Sequence, residues 1–206
     1  MITKLTGRLV RVLDEEVRVA IPPYEYQVLV PESVRRLVQM KTGEEITFHI
    51  SQYYEGNSVG SRFIPRMIGF LTESELEFFD LFCTVDKIGV KKALKALARS
   101  PRDIANAIVR EDAKWLATLP GIGATTAEQI VSTLKRKVGK HALAGESGES
   151  VPAVTGETSR LVEDIYQALL VVGLGPAEAR SKLDGLLKSG QKFQTVEDGL
   201  TLIYSR

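Results

Sequence analysis

The chain has 206 residues, 44% of them hydrophobic and 26% charged, which excludes wholesale disorder. At roughly 100–200 residues per domain, that length fits one large domain or two to three small ones. Its 27 basic and 26 acidic residues nearly cancel but are unevenly spread: residues 1–70 hold 9 basic and 8 acidic, 71–141 hold 12 and 9, and 142–206 hold 6 and 9, so the middle suits an anionic partner and the end does not.

Residues 1–70 read as β structure. Val10 and Val12 flank Arg11, Val17 and Val19 flank Arg18, and Tyr26, Val28 and Val30 alternate along a third run. Glu45–Gln52 and Arg62–Phe70 are two further strand candidates, with breaks at Asp14-Glu15, Pro22-Pro23, Pro31 and Gly43. Five short strands suggest a closed barrel, since closure removes the edges of so small a sheet. Pro31-Glu32-Ser33 followed by Val34, Leu37 and Val38 predicts one short helix among them. From Leu71 the period becomes helical, with helices expected over Glu73–Cys83, Val90–Ala98, Pro101–Val109, Asp112–Thr118 and Ala124–Val138. Residues 141–157 are rich in Gly, Ser and Glu, the composition of a flexible linker. Helical spacing resumes in Thr158–Val172, Pro176–Lys188 and Thr195–Tyr204, a small three-helix bundle. The expected fold is therefore α+β and multidomain: a barrel over 1–70, helices over 71–140, a linker over 141–157 and a bundle over 158–206.

An internal repeat carries the chemistry. Ile88-Gly89-Val90-Lys91-Lys92-Ala93 and Ile122-Gly123-Ala124-Thr125-Thr126-Ala127 share Ile-Gly followed by Ala four residues after the Gly, at an offset of 34. Each copy joins two helices through a tight turn. Glycine lets another backbone approach, and the helix that follows presents unpaired N–H groups and a positive dipole end. A phosphate oxygen fits there, read by shape and charge without base information. The pattern resembles the helix-hairpin-helix DNA-binding motif, with Pro120-Gly121-Ile122-Gly123 the sharper copy. Lys87, Lys91, Lys92, Lys95 and Arg99 lie around the first turn, and Lys135, Arg136, Lys137 and Lys140 follow the second.

The order of a five-strand barrel, paired hairpins, a loose linker and a three-helix tail resembles the RuvA family, the Holliday-junction-binding subunits of bacterial branch-migration complexes. The likeness spans the chain and is strongest at Met1–Arg11, Met67–Phe70, Leu119–Glu128 and Ala168–Ala179. It implies an OB-fold N-terminal domain, a homotetramer or octamer holding four DNA arms flat, and a UBA-like tail docking the hexameric ATPase RuvB. It also implies RuvC resolvase as a partner, a cytoplasmic place in recombination, repair and the SOS response, and ATP and Mg used by RuvB with no cofactor in this chain. DNA contacts carry over to Lys87, Ile88, Gly89, Val90, Lys91 and Lys92, and to Gly121, Ile122, Gly123, Ala124, Thr125 and Thr126. An acidic pin carries over to Glu55, in the turn Tyr53-Tyr54-Glu55-Gly56-Asn57-Ser58-Val59-Gly60, and motor contacts to Leu169, Val172, Leu174 and Leu200.

The chain departs from that family pattern in three places. Lys87 stands where a glycine is usual, at ~1–2 kcal/mol if the backbone there is left-handed. Ala124 and Thr125 stand where two lysines are usual, which predicts weaker junction binding or a shallower salt dependence than a lysine-bearing relative. The pin has one carboxylate where two are usual.

One cysteine, Cys83, excludes a disulfide framework and a multi-cysteine zinc site, and reads as core. The N-terminus lacks a signal-peptide apolar stretch, and no run approaches the ~20 residues that span a bilayer. No Gly-x-x-x-x-Gly-Lys-Ser/Thr loop occurs, so ATP hydrolysis is not expected here, nor is any catalytic constellation. One alternative is a helix-hairpin-helix repair enzyme, a glycosylase or nuclease. Against the glycosylase, no aspartate occurs between Asp112 and Asp164. Another is a protein-interaction adaptor with hairpins as scaffolding.

Overall fold

The structure is a computed structural model that describes residues 1–56, 63–143, 157–189 and 191–205. It divides into two compact units, residues 1–35 with 42–151 and residues 36–41 with 152–206.

The first unit opens with the expected barrel. Strands β1 (Lys4–Val12), β2 (Glu16–Ile21), β3 (Tyr24–Leu29), β4 (Glu45–Glu55) and β5 (Ile64–Phe70) close in the order β1-β2-β3-β5-β4. All neighbours are antiparallel except β3 and β5. Alternation decides the inside: Leu5 and Leu9, Val17 and Val19, and Ile46, Phe48 and Ile50 are buried. Gly7 lies where strands crowd, because a Cβ there would stand 2.6 Å from the Ala20 carbonyl oxygen. Helix α1 (Glu32–Val38) fills the β3–β4 connection, as the Pro-Glu-Ser start suggests. The far end of β4 pairs with β5 through Tyr54 opposite Pro65 and Glu55 opposite Ile64.

Six helices follow: α2 (Glu73–Phe82), α3 (Val90–Ala96), α4 (Pro101–Val109), α5 (Ala113–Leu116), α6 (Ala124–Leu134) and α7 (Gly139–Leu143). Helix α2 begins with a capping box, Thr72 accepting from the Glu75 amide while the Glu75 carboxylate accepts from the Thr72 amide. The barrel and these helices share one core, with the rings of Phe70 and Phe79 5.1 Å apart. Helix α7 occupies the first residues that composition assigns to the linker. His141 explains it: the ring is buried edge-on against Phe78 at 5.5 Å, with Nδ1 3.3 Å from the Ser74 hydroxyl. One buried aromatic anchor outweighs the glycine-rich context. The rest of the linker, 144–156, lies outside the described residues, as do Asn57, Ser58, Val59, Gly60 and Arg62.

In the second unit, α8 (Glu157–Val171), α9 (Pro176–Lys188) and α10 (Val196–Tyr204) enclose Val162, Ile165, Tyr166, Leu169, Ala179, Leu183, Leu186 and Ile203. The Arg36 guanidinium, wholly buried within this unit, bonds both Glu163 oxygens at 2.7 and 3.1 Å and lies 3.9 Å from the Tyr166 ring centre. None of the described helices is long and apolar enough to cross a membrane.

Candidate nucleic-acid interface

The repeat of sequence is a repeat of backbone. Lys87 and Gly121, 34 residues apart, both have positive φ, +64° and +79°. Ile88 and Ile122 come next, buried at 3% and 5% exposure, and their amides donate to Val85 and Leu119 at 3.0 Å. Gly89 (φ −89°, ψ 170°) and Gly123 (φ −96°, ψ 172°) then cap α3 and α6. In both copies the first helical bond runs from an alanine amide, Ala93 or Ala127, back to the cap glycine at 2.9 Å. A left-handed residue turns the chain, an isoleucine anchors it, and an extended glycine releases it into the helix. The expected hairpins are formed, and the left-handed position that the Lys87 argument requires is real.

The caps separate the fold's needs from a partner's. At Gly121 the positive φ favours glycine. Gly89 and Gly123 are under no such constraint, since their angles suit any residue and nothing lies within 4 Å of where a Cβ would stand. Helices α2, α4, α5 and α10 begin with a side-chain oxygen accepting from a backbone amide, from Thr72, Ser100, Asp112 and Thr195. At α3 and α6 no side chain does so, leaving the amides of Val90, Lys91 and Lys92, and of Ala124, Thr125 and Thr126, ahead of the first helical bond. Two uncapped turns flanked by open space suit an incoming oxyanion.

The turns also abut. A Cβ on Gly121 would stand 3.7 Å from Lys92 Cγ, so the stem of Lys92, on the first hairpin, lies against the second. Its ammonium lies 3.5 Å from the Lys87 carbonyl oxygen. Lys87 itself is exposed, as are Gly89, Ala124 and Thr125.

Glu55 does not stand alone as a pin. One carboxylate oxygen pairs with the Lys91 ammonium and the other accepts from Arg66 Nε at 2.9 Å. Hydrogen bonding from Lys91, then from Arg66, holds the Glu55 carboxyl below the usual carboxylate range, and the same bond raises Lys91. Two cations on one carboxylate leave a net positive cluster at the β4 end. Arg66 lies close to Glu55 in the chain, but the Lys91 contact is not legible from sequence, because Glu55 and Lys91 are far apart and neither motif contains the other's residue. Lys135 is likewise paired, with Glu111, which removes it from the simplest count of free cations.

Cys83 is half-buried rather than enclosed, and burial, with the Asp80 charge beside it, pushes its thiol up to about 12. A thiolate nucleophile is excluded there at neutral pH. Among the described residues no group of three His, Cys, Asp or Glu could hold a metal ion.

The four tail positions separate. Leu169 is wholly buried in the bundle core and cannot meet a partner. Leu174 and Leu200 pack partly against that core, and Val172 is exposed. Val171, which sequence reading passed over, is 87% exposed. Adjacent valines at a helix end cannot both face the core, and that adjacency was the available signal.

Residues 79–136, spanning both turns, match the model of the SAM-like helix-hairpin-helix tandem. The whole chain is similar to a protein of Rhodopirellula baltica named Holliday junction branch migration complex subunit RuvA, 43% identical over 206 residues, 100% of this chain and 99% of that one. Proteins of the same name from Desulfosudis oleivorans and Desulforapulum autotrophicum are 34% and 35% identical, covering 96% and 89% of this chain and 94% and 86% of their own. With the barrel, the paired hairpins and the tail bundle all in place, the chain belongs to the RuvA family.

Proposed function

We propose that this chain binds four-way junction DNA through both hairpins, as the DNA-binding subunit of a branch-migration complex driven by the ATPase RuvB. The observation that carries this is the pair of glycine caps at Gly89 and Gly123, which the fold leaves open and does not itself require. Main-chain amides there donate to phosphate oxygens, while Lys87 and Lys92 supply charge. Such contacts follow the path of the backbone and ignore base identity, so selectivity comes from how several copies match the arms. A homotetramer, one copy per arm, fits that demand, and two tetramers clasping one junction are the larger form. Recruitment of RuvB through exposed apolar groups of the bundle, partnership with RuvC and a cytoplasmic location belong to the same reading.

Gly123→Ser tests it. A serine at a helix cap turns its own hydroxyl onto the amides, and exchange between serine and glycine there changes stability by only a few tenths of a kcal/mol. The variant keeps its melting temperature and loses about tenfold in affinity for a four-way junction, as expected for one charge-assisted contact of ~1.5 kcal/mol. Unchanged junction affinity in G123S, or equal affinity of the parent chain for linear duplex, would reject the reading.

A further inference from the structure

We propose that Lys92, which belongs to the first hairpin, serves as the cation for the phosphate held at the second. The proposal rests on the DNA-backbone reading of both turns.

Charge is unequally divided between the copies. The first has Lys87, Lys91 and Lys92, whereas residues 121–126 contain no cation. At an offset of 34, Lys91 and Lys92 correspond to Thr125 and Thr126. A second turn built of glycine, isoleucine, alanine and threonine has amides to offer and no charge.

Geometry supplies what that turn lacks. Lys91 is drawn toward the barrel by Glu55. Lys92 runs the other way, its Cγ beside Gly121 and its stem half-buried at the seam. Its Nζ has no carboxylate partner among the described residues. The bond it makes, to the Lys87 carbonyl, is long at 3.5 Å, so it gives way readily to a phosphate oxygen. Three bonds beyond a Cγ fixed next to Gly121, the ammonium can reach an anion seated on the Gly121–Gly123 turn. The stem lies within van der Waals reach of the second turn, and that packing limits the conformations it must give up on binding.

The test uses the full chain, a four-way junction and anisotropy titrations across salt. Lys92→Met keeps the stem and removes the charge. It lowers the salt slope by about 0.9 per bound chain, equivalent to about eightfold in affinity at ~0.1 M salt. Lys92→Arg binds like the parent. Ala124→Lys, which puts a cation directly on the second turn, restores the slope in the K92M background and adds much less to the parent chain. Equal gains from A124K in both backgrounds, or a parent-like slope for K92M, overturn the proposal while leaving the hairpin reading intact. A parent chain that retards no junction overturns both.

Discussion

Lys87 shows how a single residue can work against its backbone and still be useful. At φ +64° it occupies the left-handed region at a cost of about 1–2 kcal/mol, which the corresponding Gly121 avoids at +79°. In return the exposed turn gains a cation that a glycine would not bring. Glu55 is the opposite case, a residue whose expected role changes once its neighbours are known. A lone carboxylate repels phosphate, but one engaged by Lys91 and Arg66 mainly controls whether Lys91 is available. Glu55→Gln therefore frees Lys91 and steepens the salt dependence of junction binding by up to about 0.9 per chain. Adding Lys91→Ala cancels that gain, whereas repulsion by the carboxylate alone would leave it intact, so a double-mutant cycle separates the two. The pH dependence has a definite sign. Because Glu55 is held below its ordinary value, the pair is complete above the usual Glu range near ~4.3 and is lost only as pH falls through the lowered value. The difference between parent and E55Q accordingly persists through neutral pH and vanishes in acid.

Among the elements, the hairpin turn is instructive because it occurs a third time. Gly173-Leu174-Gly175 has a left-handed first glycine (φ +103°), a half-buried middle residue and an extended cap (φ −66°, ψ 155°) with nothing within 4 Å. Here, however, Pro176 removes one of the amides, and residues 142–206 carry more acidic than basic groups. The turn alone does not make a phosphate site; free amides and nearby cations do. What this third turn presents is the end of α8, where Val171 and Val172 are 87% and 62% exposed. Replacing both with Asp leaves junction binding unchanged and abolishes association with RuvB, measured by co-sedimentation on the same DNA. Leu169→Ala, two residues earlier, instead removes a core side chain and costs about 2–4 kcal/mol, read by thermal unfolding. A V171D/V172D protein that still recruits the motor places the contact elsewhere. These elements were differently legible in the sequence. Period-two runs and turn residues marked all five strands, and the 34-residue repeat marked both hairpins, because each depends on local patterning. Helix α7 is not legible because one buried histidine outweighs its glycine-rich surroundings, nor is the Glu55–Lys91 pair, which joins a strand to a helix that no motif connects.

For the whole molecule, a net charge of +1 is a poor guide to DNA binding, since it averages segments of opposite character. Affinity set by a few cations at the two turns responds to those residues and hardly to total charge. At physiological salt the Debye length is about 8 Å, so an exposed charge that does not touch the nucleic acid contributes little. Two surface changes in the C-terminal unit separate the possibilities. Lys192→Glu with Gln194→Glu, both exposed and just ahead of α10, takes the net charge from +1 to −2. Near a helix N-terminus, acidic groups are well tolerated. Junction affinity at ~0.15 M salt then stays within about twofold of the parent, while Lys92→Glu, a smaller change in total charge, costs tenfold or more. Equal losses in the two variants would mean that the bundle itself lies along the DNA, and that the hairpins alone do not set the binding charge.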